Sequence, residues 1–125
     1  MTLLIMLGVS VVFLTFTTLY TPTALGLGIP AQVTILAGSS EPNTNHFEPE
    51  TLTIHKGDTV KWINNDSSIH TVTSGKPTGL ESGVKFDSSY LQSGESWTHT
   101  FKKTGNFDYY CTLHPYTTAK IKVIK

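Results

Sequence analysis

The chain has 125 residues, room for one domain and a leader. Nine lysines balance nine acidic residues, arginine is absent and no run of like charges occurs, which excludes the electrostatic footprint of a nucleic-acid binder. With no net field, docking to a partner does not rely on steering by total charge.

No charged side chain precedes Glu41, and residues 1–20 are mostly Leu, Ile, Val, Phe, Met and Thr. A stretch of about 20 apolar residues is long enough for an export signal or for a bilayer span. Ala24, Gly26 and Gly28 offer a small-x-small cleavage site, but the basic n-region of a signal is missing. A signal peptide and an N-terminal membrane anchor therefore both stay open for residues 1–28. Either one places residues 29–125 outside the cytoplasm, periplasmic or otherwise extracytoplasmic.

From residue 31 the apolar pattern has the period of strands. Val33, Ile35 and Ala37 alternate with polar neighbours, as do Leu52 with Ile54, Val60 with Trp62, Trp97 with Phe101, and Ile121 with Val123. Turn signals such as Lys56-Gly57-Asp58 and Thr104-Gly105-Asn106 separate these runs. Short alternating strands between such turns predict an all-β, antiparallel Greek-key sandwich. Residues 38–45 and 74–96 are the irregular stretches, and Phe86 and Leu91 are expected to plug from the second into the core. No internal repeat or second domain is visible.

Strand phase sorts the histidines. His55 is out of phase with Leu52 and Ile54 and should face solvent, whereas His99 shares the phase of Trp97 and Phe101 and should pack, partly buried, in an aromatic layer. His46 sits in a loop without a neighbour at ligand spacing. The one cysteine, Cys111, stands three positions before His114 in Cys111-Thr112-Leu113-His114-Pro115-Tyr116, and His70, after the turn Asn65-Asp66-Ser67-Ser68, is a second candidate histidine. A soft thiolate with two imidazoles in a trigonal set suits copper. Metal ligation also accounts for one odd cysteine in an exported chain, because a metal-bound thiol is deprotonated and shielded from pairing.

The run from Phe47 through Ile54-His55-Lys56-Gly57-Asp58-Thr59-Val60-Lys61-Trp62-Ile63-Asn64, and the later Gly94-Glu95-Ser96-Trp97-Thr98-His99-Thr100-Phe101 and Thr104-Gly105-Asn106-Phe107-Asp108-Tyr109-Tyr110-Cys111, resemble plastocyanin- and amicyanin-type cupredoxins. The resemblance covers residues 31–125, about three quarters of the chain. It implies a type 1 site for one copper ion cycling between Cu(I) and Cu(II), with His70, Cys111 and His114 as ligands. It also implies a hydrogen bond to the sulfur from the Thr71 N–H. Leu113 replaces a proline common in the family, so its N–H becomes a second donor to sulfur.

The resemblance places the axial thioether at Thr117, and the only methionines, Met1 and Met6, lie in the apolar leader. Three fates are open for that position: empty with Thr117 as lining, filled by the Thr117 hydroxyl or a carbonyl, or filled by water. An open or water-filled site is the favoured expectation. The implied function is an electron carrier working with a redox partner protein outside the cytoplasm. The alternative is a copper oxidoreductase acting on a small-molecule ligand such as nitric oxide, superoxide or nitrite at the open position. Copper delivery or storage is disfavoured, because exchangeable sites use several Met or Cys ligands.

Overall fold

The structure is a computed structural model that describes residues 28–42, 44 and 46–125. The leader expected over residues 1–28 lies, apart from Gly28, outside the described residues. Among those described, no helix is long and apolar enough to cross a membrane.

Eight strands follow one another: β1 Ala31–Ile35, β2 Phe47–Glu48, β3 Thr51–His55, β4 Thr59–Asn64, β5 Thr73–Ser74, β6 Ser96–Thr100, β7 Gly105–Tyr110 and β8 Thr118–Ile124. They form two four-stranded sheets, ordered β2-β1-β4-β6 and β3-β8-β7-β5. The all-β sandwich expected from the sequence holds, with one correction to its antiparallel pairing. Two pairings, β1 with β4 and β3 with β8, run parallel, so both sheets are mixed. Hydrophobic alternation marks which face of a strand is buried and is silent about which strand lies beside it.

That alternation is visible strand by strand. In β8, Ala119, Ile121 and Val123 point inward while Lys120, Lys122 and Ile124 point out. In β4, Val60, Trp62 and Asn64 are all fully buried. Ala37, expected to extend the first strand, is exposed instead. The strand ends at Ile35, and a turn begins at Leu36, whose carbonyl accepts from Ser39 N at 3.1 Å.

Trp62 is the centre of the core. Its ring lies 5.4 Å from Trp97 and 5.7 Å, edge on, from Tyr109, and Phe86 and Phe101 close the same cluster. Aromatic rings of this size supply the largest buried apolar area per residue. Phe86 and Leu91 are both 5 % exposed, so the irregular stretch between β5 and β6 does plug the core. At the other end, Gly57 takes φ +98° in the β3–β4 turn, a backbone state that disfavours any side chain. Asp58 closes that turn by accepting from His55 N at 2.9 Å.

Candidate metal centre

The last buried residue of β4 begins the construction. Asn64 is fully buried, its amide donates to Ser68 O at 2.8 Å and to Leu91 O at 2.9 Å, and its oxygen accepts from Asp66 N at 2.9 Å. A single side chain thus staples the turn leading to His70, as short polar side chains do in Asx turns. His70 is then bridged to Leu91 through both backbone groups, N to O at 3.1 Å and O to N at 2.8 Å. The buried Leu91 therefore fixes the depth at which the imidazole enters.

Cys111 follows the end of β7 and is fully buried. The loop after it closes tightly: Thr117 N donates to His114 O at 2.8 Å, and Cys111 N donates to Thr117 O at 3.0 Å. This closure brings His114 back over Cys111, with Nδ1 3.6 Å from Sγ. Across the gap, the rings of His70 and His114 have centroids 4.8 Å apart. One ligand atom from each of His70, Cys111 and His114 lies within 4.8 Å of the other two. The structure brings together all three residues singled out in the sequence.

The donor set fits copper on two counts. Nδ1 of His70 is buried and has no hydrogen-bond partner. Such an orphan is costly unless something else coordinates it. Second, the thiol is poised as a thiolate: burial alone pushes Cys111 up, but His70, the Thr71 N–H, His114 and the Leu113 N–H outweigh it and bring it down to about 6. The bond from Thr71 N to Sγ measures 3.3 Å. Burial likewise pushes the His70 pKa down, yet the adjacent Cys111 sulfur and the Asp66 carboxylate dominate and raise it.

The Thr71 N–H bond to sulfur was expected from the sequence, whereas Asp66 and the Thr71 hydroxyl escaped sequence reasoning. Asp66 accepts from, or shares a proton with, His70 Nε2 at 2.7 Å in a pair whose side chains are 4 % and 0 % exposed. Thr71 contributes its hydroxyl as well as its N–H, accepting from Thr112 N at 2.9 Å and so pinning the residue after Cys111. An aspartate in an Asn- and Ser-rich turn reads as turn chemistry, and the four-residue spacing to His70 is a signal only once the turn's shape is known.

Thr117 is fully buried, and its hydroxyl donates to Ser39 O at 3.1 Å. The other histidines fall where strand phase puts them: His55 is exposed, and His99 is half-buried against Phe86, Trp97 and Phe101. His46 is half-buried rather than free, with its ring 5.6 Å from Tyr116 in the ligand loop.

Residues 33–124 match the model of the family described as copper binding proteins, plastocyanin/azurin family. The chain belongs to that family. Among curated cupredoxins, amicyanin from Paracoccus versutus is 32% identical over 62% of this chain and 57% of its own length. Chloroplastic plastocyanin from Tetradesmus obliquus is 36% identical over 54% of this chain and 50% of its own. The matched part thus spans about half the length of these two relatives, 57% and 50%. Among solved structures, a novel purple cupredoxin from Nitrosopumilus maritimus aligns with TM-score 0.70 and 32% identity, covering 75% of this chain and 99% of that one. The family's cofactor is a single copper ion, and the cluster of His70, Cys111 and His114 is suited to hold it.

Proposed function

We propose that this cupredoxin carries single electrons between redox partners outside the cytoplasm, with His70, Cys111 and His114 as the copper ligands. The observation that carries this reading is the asymmetry of the preformed cluster. Two of its members are fully buried, and only His114 reaches the surface. Copper held by two imidazoles and a thiolate supplies reversible cycling between Cu(I) and Cu(II).

The protein's own part is to hold those groups still. The Thr71 N–H stabilises charge on the sulfur, the Asn64 staple and the Leu91 bridge fix His70, and the closed turn from Cys111 to Thr117 fixes His114. Little rearrangement between oxidation states is then required. Beside His114 the apolar side chains of its chain neighbour Leu113 and of Tyr116, whose ring lies 6.1 Å away, are exposed and offer a surface on which a redox partner would seat, with the His114 edge as the electron's exit. Export is supported by the uncharged, apolar residues 1–28, as signal peptide or anchor, and by the single cysteine.

One observation favours a second reading, a copper oxidoreductase acting on a small molecule such as nitric oxide. The residue at the family's thioether position is Thr117, whose hydroxyl proton is directed to Ser39 O. A position left open or filled by water there would admit an exogenous ligand. Titration of the copper-loaded protein with azide and with nitric oxide, read in the visible spectrum, separates the two. An unaltered spectrum leaves the carrier alone standing, whereas a saturable change that Thr117→Met suppresses supports the second reading.

A further inference from the structure

Resting on the reading of His70 as a ligand, we propose that Asp66 is the positioning residue of the metal site. Its carboxylate holds the His70 proton on Nε2, turns Nδ1 toward Cys111 and His114, and ties the ligand to the turn that braces Thr117.

An ionised carboxylate only accepts hydrogen bonds, so at 2.7 Å from Asp66 Oδ2 the Nε2 of His70 must be the donor. A neutral imidazole with its hydrogen on Nε2 presents its lone pair at Nδ1, the buried atom that has no protein partner. The second carboxylate oxygen is also committed. Oδ1 accepts from Gly38 N at 3.0 Å and from Ser67 N at 2.9 Å. Gly38 turns the backbone at φ +85°, and the next residue, Ser39, offers the carbonyl that accepts from Thr117. One buried carboxylate therefore connects an equatorial ligand, its tautomer and the residue at the axial position.

Asparagine cannot reproduce this. Its amide has one acceptor oxygen, which can serve either the two backbone N–H groups or Nε2–H. If the oxygen stays on the turn, the amide N–H faces Nε2 and drives the imidazole hydrogen onto Nδ1, the atom needed for the metal. If it rotates, the turn loses its acceptor. The negative charge behind the ring also raises ligand basicity, which favours the more highly charged Cu(II).

The test uses the copper-loaded full chain and compares wild type, Asp66→Asn and Asp66→Ala, with His70→Ala as reference. Cu(II) affinity should fall about 10–100-fold in both Asp66 variants, as for other partners of metal-bound histidine. Cu(I) affinity should fall less, so the potential should rise by about 59 mV for each tenfold difference between the two. An unchanged potential with only a loss of thermal stability would reduce Asp66 to a structural group and overturn the proposal. NMR of the wild-type Cu(I) form decides independently of any variant. A slowly exchanging, hydrogen-bonded Nε2–H on His70 is expected, and its absence overturns the proposal even if the variants fail to fold. Retention of the visible band by His70→Ala would instead defeat the ligand assignment itself.

Discussion

His70 is fully buried and His99 half-buried, toward opposite ends of the same sandwich, and they have been put to opposite uses. His99 lies among rings, 5.7 Å from Trp97, 5.0 Å from Phe86 and 4.8 Å from Phe101, and loss of hydration lowers its pKa with nothing opposing. His70 suffers the same desolvation, but the Cys111 sulfur and the Asp66 carboxylate reverse the shift and raise it. Burial by itself makes a histidine a neutral aromatic filler. A site arises where polar groups from separate elements converge on it and one ring atom is left without a partner.

The largest effect that this contrast predicts comes from exchanging the two. His70→Ala should abolish stoichiometric copper binding. It should also lower the stability of the metal-free protein by about 1–3 kcal/mol, because the buried Asp66 loses its donor. Calorimetric titration with copper and urea unfolding read the two parts. His99→Phe, in contrast, should keep full copper binding and an unaltered visible band, because an aromatic ring there fills the same layer.

Next in size is the response of the potential to Thr117→Met, and here the sign discriminates. If water fills the axial position, a soft thioether replaces a hard donor and the potential rises. If the position is empty, the thioether adds a donor and the potential falls. Voltammetry of the two proteins chooses between them.

A smaller effect concerns pH. The fold disfavours protonated His99, so as pH falls below its ordinary value of 6.5 the unfolded chain takes up the proton first. The stability present above that value is therefore lost on acidification. Thermal midpoints measured between about pH 8 and about pH 5 should fall more steeply for wild type than for His99→Phe. Identical slopes would show that His99 is indifferent to its surroundings. Smallest of all, His55→Ala should leave the visible spectrum unmoved, since His55 lies exposed in the β3–β4 turn region.

The same two ends show what a sequence discloses. Cys111 and His114 were legible because their spacing is local and Cys111 continues the inward phase of Phe107 and Tyr109. His70 was legible because it follows an Asn-rich turn at the end of an alternating strand. Asp66 was not, for its partner is fixed only when Asn64 and Leu91, 27 residues apart, have closed the turn. The parallel pairings of β1 with β4 and β3 with β8 were hidden for a related reason: alternation records one strand's two faces, and neighbour choice depends on contacts distant in sequence. Thr117 was seen as a departure from a family pattern, but the carbonyl that binds its hydroxyl belongs to Ser39, 78 residues earlier in the chain.

The central claim is that a buried thiolate and two imidazoles form one copper site, and its most direct test is the visible spectrum of the oxidised, copper-loaded protein beside that of Cys111→Ser. A Cu(II)–thiolate bond gives intense sulfur-to-copper charge transfer. Wild type should show an intense band that titrates to one copper per chain, and the serine variant should be colourless at equal copper. A serine variant that kept the band, or a wild type that bound copper without one, would contradict the assignment of Cys111 as the ligand at the heart of the site.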